Sequence, residues 1–144
     1  MRTIVDPSAL ARAAAAELGD ASIELDLDDA PARWSLDPAR TQQVLVNLLD
    51  NAVAVSDGAL VELRVAVEDG ELRFDVRDCG PGVAPEDRDA IFEPFRTTKA
   101  RGAGLGLAVS RRIVEAHGGA IEIVDTDRGA LFRVRIPAGA GENR

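Results

Sequence analysis

The stretch LVELRVAVEDGELRFDVRD, residues 60–78, decides how the rest of the chain must be arranged. Val61, Leu63, Val65 and Val67 alternate with charged or small residues, and Leu72, Phe74 and Val76 alternate with Glu71, Arg73 and Asp75. A period of two places the apolar set on one face of a strand and the charged set on the other. Asp69-Gly70 between the two runs is a two-residue hairpin signal, because a type I′ turn needs positive φ at both positions. The stretch therefore reads as two antiparallel strands with one face for a core and one for water. The apolar face must be covered by something else in the chain.

Working outward, the cover is helical. Asp37-Pro38 opens a helix through residues 39–56, with Asp37 as cap, Pro38 at its first position and Leu45, Leu48, Ala52 and Val55 as the apolar stripe. The same device, Asp6-Pro7, opens VDPSALARAAAAELG, which Gly19 can end; Val5 and Leu10 are spaced as a hydrophobic staple. Between these helices, SIELDLD and ARWSLD read as two strands, each with one wet face. Beyond residue 78, a third helix is expected from roughly Leu105 to His117, ended by Gly118-Gly119. AIEIVD and ALFRVRIP close the chain as a hairpin, with Ile121, Ile123, Phe132, Val134 and Ile136 as core candidates. The expected fold is an α/β two-layer sandwich, with three main helices on one face of a mixed, largely antiparallel sheet of about five strands or more.

Composition sets the bounds. The 144 residues suit one domain, and 46% are apolar, enough for a core. The expected domain is 1–137, with AGAGENR, 138–144, as a disordered tail. A formal charge of −8, from 17 cationic and 25 acidic side chains, argues against nucleic acid as the main partner. It leaves room for a small anionic ligand held by a helix end and a few cations. No run is long and apolar enough to cross a bilayer, so no direct membrane contact is expected. No signal peptide stands at the start. The single cysteine, Cys79, excludes an internal disulfide and fits a reducing compartment, and there is no Cys/His cluster for zinc.

Three places carry chemistry. Asp78 is in phase with Leu72, Phe74 and Val76, so its carboxylate points to the covered side of the sheet, where it needs a partner. CGPGV follows, and Gly80 and Gly82 let a backbone or a flat ligand come close. A buried acceptor beside an open backbone suits a purine amino group; the plainer alternative is a strand-end Asp capping a Gly-Pro-Gly turn. Asn47 and Asn51 stack one turn apart on the second helix, with Gln43 a turn earlier. Amide oxygens are hard ligands that Mg²⁺ accepts alongside phosphate and water, although such a pair can also be a solvated helix face. Finally, Gly102, Gly104 and Gly106 run straight into a helix N-terminus, behind Lys99 and Arg101. That is an anion site by construction, but its spacing is neither that of a Walker P-loop nor of the dinucleotide fingerprint.

Taken in order, NLLDNA, DCGPGV, IFEPF and GAGLGLAVSRRIVEAHGG resemble the N box, first glycine box, F box and second glycine box of sensor histidine kinases. The resemblance runs from IVDPSAL to FRVRIP. It implies the catalytic ATP-binding domain, with the Bergerat fold shared by gyrase, heat-shock chaperone and mismatch-repair ATPases, and it is loosely similar to the nitrogen-regulation branch. The implied cofactors are ATP and Mg²⁺. By motif position, Asn51 is the Mg²⁺ ligand and Asn47 contacts the metal or phosphate region. Asp78 accepts from the adenine amino group, with Gly80, Gly82 and Val83 shaping that wall. Phe95 to Gly104 form the ATP lid, with Gly102, Gly104, Leu105 and Gly106 as its phosphate-binding hinge. The implied reaction is transfer of the γ-phosphoryl group to a histidine on a separate dimerisation domain, with Asn47, Lys99 and Arg101 serving catalysis. The implied partners are that phosphoacceptor domain and a downstream response regulator, and the isolated domain is expected to be a monomer. The expected location is the cytoplasm, as a free domain or as the cytoplasmic end of a membrane-bound sensor.

Departures from the pattern bear on affinity. Ala54 and Val55 stand where Lys and an aromatic are common, Arg96 replaces a frequent second Phe, and Ala130 replaces a frequent Thr. Arg96, Lys99 and Arg101 are expected to supply the missing positive charge. The only histidine, His117, sits at a helix C-terminus, where an imidazole meets the helix dipole, and is expected to be structural. With no phosphoacceptor segment present, the chain reads as a fragment that begins just after the dimerisation helices. Three other functions are open. A water-activating relative would need Glu in place of Asn47, since an amide cannot act as a base. A free-standing serine kinase that binds a sigma factor fits the length but not the F box. A nucleotide-binding module without transfer activity fits Ala54 and Val55.

Overall fold

The structure is a computed structural model that describes residues 2–19, 21–93, 106–124 and 126–138. The hairpin at its centre forms as its pattern requires: β4 (Val61–Glu68) and β5 (Glu71–Arg77) pair antiparallel, Leu63 opposite Val76 and Val65 opposite Phe74. Both turn residues have positive φ, 55° at Asp69 and 77° at Gly70. β5 also pairs antiparallel with β7 (Leu131–Pro137), which pairs with β6 (Ala120–Val124).

Two strands behave differently from the sequence expectation. β2 (Ile23–Asp29) joins the edge of the sheet parallel to β4, giving the order β2-β4-β5-β7-β6. β3 (Trp34–Leu36) leaves that sheet and pairs with β1 (Thr3–Val5), an element with too few residues to show a period. All three residues of β3 are buried, so the wet face expected there does not exist. Ser35, which should have faced water, is held by Arg2, whose guanidinium donates to the Ser35 carbonyl at 2.9 Å.

Among the described residues, three α-helices lie on one face. α1 (Pro7–Glu17) and α2 (Pro38–Ser56) start on the two Asp-Pro caps: the Asp6 carboxylate accepts from the Ser8 amide and the Asp37 carboxylate from the Arg40 amide. α2 packs against both α1 and α3 (Gly106–Ala116). Leu45, Leu48 and Leu49 of α2 meet Leu63, Val65, Phe74 and Val134 in one core. The opposite face carries charges at the alternate positions. Arg133 grips Asp75 with two bonds, 2.9 and 3.2 Å, which raise the guanidinium further above its usual range. Arg135 reaches Glu71 and Glu122. Such part-exposed pairs contribute little each, but they keep that face wet and set register.

α3 ends as its two glycines suggest. The Gly118 and Gly119 amides return to the Glu115 and Val114 carbonyls, the two bonds of a Schellman cap, with Gly118 at φ 77°. His117 is buried just before it and is structural, as expected. The Asp37 amide donates to its Nε2 at 3.0 Å, so Nδ1 must carry the proton and donates to the Ile113 carbonyl at 2.9 Å. The ring is neutral and ties the end of α3 to the start of α2. Ala138 packs on the core, while residues 139–144 of the expected tail lie outside the described residues.

Candidate functional site

The site is built where β5 ends. Asp78 continues the β5–β7 ladder by one step, its amide donating to the Ala130 carbonyl at 3.0 Å. Its side chain keeps the inward phase of Leu72, Phe74 and Val76 and is only 3% exposed. Oδ1 accepts from the Gly80 and Ala130 amides, each at 2.9 Å. Oδ2 has no hydrogen-bond partner among the described residues. The turn-capping alternative is observed through Oδ1, and Oδ2 is left over as an acceptor. Oδ2 is not among the buried atoms that lack a partner, so this oxygen of a largely buried residue stays accessible to a donor from outside the protein.

The glycines around it are there for space. A Cβ on Gly80 would meet Val55 Cγ2 at 2.8 Å, so Val55 fills the room that a side chain at 80 would take. Gly82, at φ 82°, comes against the Gly129 carbonyl. Gly129 itself, at φ 68°, passes so near Asp78 that a Cβ would collide with its carbonyl and come within 2.6 Å of Oδ1. Val83 packs against the core, and its carbonyl accepts from Arg88.

The asparagines of α2 form the facing row. Asn47 Nδ2 donates to the Gly106 carbonyl and to Ser110 Oγ, both at 3.2 Å, which joins α2 to the first turn of α3. Its Oδ1 has no partner among the described residues, and neither has the amide of half-buried Asn51, one turn on. Two unengaged amide oxygens one turn apart on a helix are hard ligands of the kind a metal–phosphate group takes. The last residue of α2, Ser56, accepts from the Cys79 amide at 2.9 Å. Phe92 packs edge-on to Phe132, with centroids 6.2 Å apart, and under the Arg111 guanidinium of α3.

Contacts thus join Asn47 to Gly106 on one side, and Asp78 to Gly80, with Gly82 and Val83 beside Gly129 and Ala130, on the other; Asn51 is related to Asn47 only by lying one turn on along α2. Phe95, Arg96, Lys99, Arg101, Gly102, Gly104 and Leu105 lie outside the described residues. Gly129 and Ser56 were missed. Gly129 sits in an ordinary-looking hairpin loop, and Ser56 ends a helix; only tertiary contacts give either a role. Ala130 offers Asp78 its backbone but no hydroxyl. No group of three or more His, Cys, Asp or Glu side chains among the described residues could hold a metal. A cavity of about 520 Å³ lies elsewhere, lined by Arg2, Arg40, Arg112 and His117 among others, and none of the expected nucleotide residues lines it.

Comparison with known proteins agrees with this geometry. Residues 36–140 match the family described as Histidine kinase-, DNA gyrase B-, and HSP90-like ATPase. The sensor histidine kinase ZraS of Escherichia coli K12 is 41% identical over 103 residues, covering 70% of this chain and 22% of that protein. The C4-dicarboxylate transport sensor protein DctB of Rhizobium meliloti is 37% identical over 118 residues, 80% of this chain and 19% of that protein. The chain therefore spans only about a fifth of these relatives. The structure of full-length ShkA in complex with AMPPNP superposes with a TM-score of 0.86 at 34% identity, covering 96% of this chain and 31% of that one. The nucleotide-free catalytic domain of histidine kinase ThkA gives 0.87 at 29% identity, with 96% of each chain covered. The chain belongs to the histidine kinase-, DNA gyrase B- and HSP90-like ATPase family, in the form of the catalytic domain of sensor histidine kinases.

Proposed function

We propose that this chain binds Mg-ATP and presents its γ-phosphoryl group to a histidine on a separate phosphoacceptor domain, which passes it on to a response regulator. The observation that carries the reading is the Asp78 carboxyl, 3% exposed, with Oδ2 free to accept from an adenine amino group. Asn51 would hold Mg²⁺ through its amide oxygen, and the chemistry that ion would supply is charge neutralisation on the phosphates. Asn47 keeps α3 against α2 through Nδ2 and offers Oδ1 to the metal or phosphate region. Lys99 and Arg101, with the glycines 102, 104 and 106, contact the phosphates. In the transfer, the bond from the γ-phosphorus to the β,γ-bridging oxygen breaks and a bond to an imidazole nitrogen forms. The imidazole proton is lost and ADP leaves. Positioning and charge neutralisation do this work, with no base supplied by Asn47.

The ShkA complex with AMPPNP supports the nucleotide, and the curated sensor kinases support the signalling role. No helix among the described residues is long and apolar enough to cross a membrane. The test is a thermal melt with Mg²⁺ and ATP. Ligand at a hundred times its Kd stabilises by about 2.7 kcal/mol. The wild-type melting temperature should rise accordingly and that of Asp78→Asn should not; an equal rise in both overturns Asp78 as the purine contact. Exposed Ala54 brings no cation to this end of α2, which favours a second reading, a nucleotide-binding module without transfer. Adding the two-helix phosphoacceptor domain of a similar kinase in trans and assaying acid-labile phosphate separates the two.

A further inference from the structure

We infer that Ser56 is a positioning residue for base recognition: its hydroxyl sets the aim of the Asp78 carboxylate, so that the choice of adenine depends on a side chain that does not touch the nucleotide. The inference rests on the nucleotide reading above. Three backbone amides hold Asp78 and the turn that follows it. Those of Gly80, in the turn, and Ala130, at the start of β7, bond to Asp78 Oδ1. The third, from Cys79, bonds to Ser56 Oγ at 2.9 Å and ties the turn to the end of α2, and Cys79 Sγ reaches the Leu60 carbonyl beyond that helix. The peptide between Asp78 and Cys79 is thereby fixed to the last residue of α2.

The neighbouring residue closes the other direction of movement. Val55 presses on Gly80 closely enough that no Cβ fits between them, so the turn cannot swing toward α2. Ser56 is only 4% exposed, so water does not readily replace its oxygen. With the hydroxyl removed, the Cys79 amide seeks another acceptor and the 78–79 peptide rotates. Oδ1 follows its two amides, and Oδ2 loses its direction. α2 thus carries the amides proposed for the metal and also holds the proposed base acceptor in place. It joins the two ends of one binding site through a single turn, from Asn51 to Ser56.

The test compares binding of ADP with that of inosine diphosphate, which lacks the amino group, to the full 144-residue chain by calorimetry. Ser56→Ala should weaken ADP roughly tenfold and leave inosine diphosphate unchanged, so that the preference for adenine falls. Ser56→Thr, which keeps the oxygen, should restore it, and Ser56→Val, of the same shape without the oxygen, should not. In an Asp78→Asn background Ser56→Ala should have no further effect, because the group it positions is gone. Equal losses for both nucleotides, full additivity with Asp78→Asn, or a Val variant that binds like Thr would overturn the inference. The Thr and Val pair decides the matter if the Ala variant folds poorly. A wild-type chain that ignores ADP would instead remove the nucleotide reading itself.

Discussion

Asp78 could be found from the sequence because its phase is that of a strand: a carboxylate at an inward position is anomalous wherever the fold places the sheet. Gly129 could not, because its role comes from a residue 51 positions away whose carbonyl and carboxylate it passes. Gly129→Ala meets two obstacles, a φ of 68° and a collision with Asp78. It should destabilise the fold by about 2 kcal/mol and abolish the nucleotide-dependent rise in melting temperature. A variant that binds ATP normally would show that Asp78 can shift without loss. His117 teaches the same lesson about chemistry. Its position at a helix end suggests a favourable cation, yet the donor that reaches it is a backbone N–H, which only a neutral ring nitrogen can accept. Nitrogen chemical shifts at neutral pH should report a protonated Nδ1 and a bare Nε2; a rapidly exchanging or fully protonated ring would contradict the bond from Asp37.

At the scale of elements, period and caps carried most of the information. Both Asp-Pro starts, the hairpin turn and the glycine stop of α3 appear where those residues stand, since each needs only its local backbone. Pairing is another matter. Nothing in Ile23–Asp29 says that it lies parallel to β4, and the three residues of β1 are too few to show alternation. The two asparagines of α2 show what a helical stripe hides. They look equivalent in sequence, but Asn47 holds α3 through Gly106 and Ser110 while Asn51 has no partner among the described residues. Asn47→Ala should therefore lower stability by about 1.5 kcal/mol even without ligand, as two part-buried bonds are lost. Asn51→Ala should stay within about 0.5 kcal/mol of wild type, as for other substitutions away from such contacts, yet lose the magnesium dependence of nucleotide binding. Denaturant melts with and without Mg-ATP measure both, and equal apo destabilisation of the two variants would contradict the division of labour.

The whole molecule is organised along α2. Its first turn is bound to structure only: Asp37 caps it, His117 of the α3 end accepts from the Asp37 amide, and Arg2 joins the His117 carbonyl to Ser35 of β3. Its last turn is bound to chemistry, through Val55 against Gly80 and Ser56 against Cys79. With 19 residues in the helix, these ends are about 27 Å apart at 1.5 Å per residue. A core as closely packed as this one transmits strain poorly unless an element has two stable arrangements, and α2 runs unbroken between its caps. Damage at the structural end should therefore cost stability without touching recognition. Deleting residues 2–5 removes β1, the three bonds of Arg2 and the staple residue Val5 that packs on the core. The loss should be about 4 kcal/mol, counting roughly 1 kcal/mol for each of the three bonds and a similar amount for the apolar contact. Trp34, 6% exposed and deprived of its strand partner, should shift its emission to the red. The Kd for Mg-ATP, measured well below the lowered melting temperature, should move less than about threefold, against a roughly hundredfold weakening in Asp78→Asn. A truncated chain that stays stable but loses nucleotide would mean that the two ends of α2 are coupled.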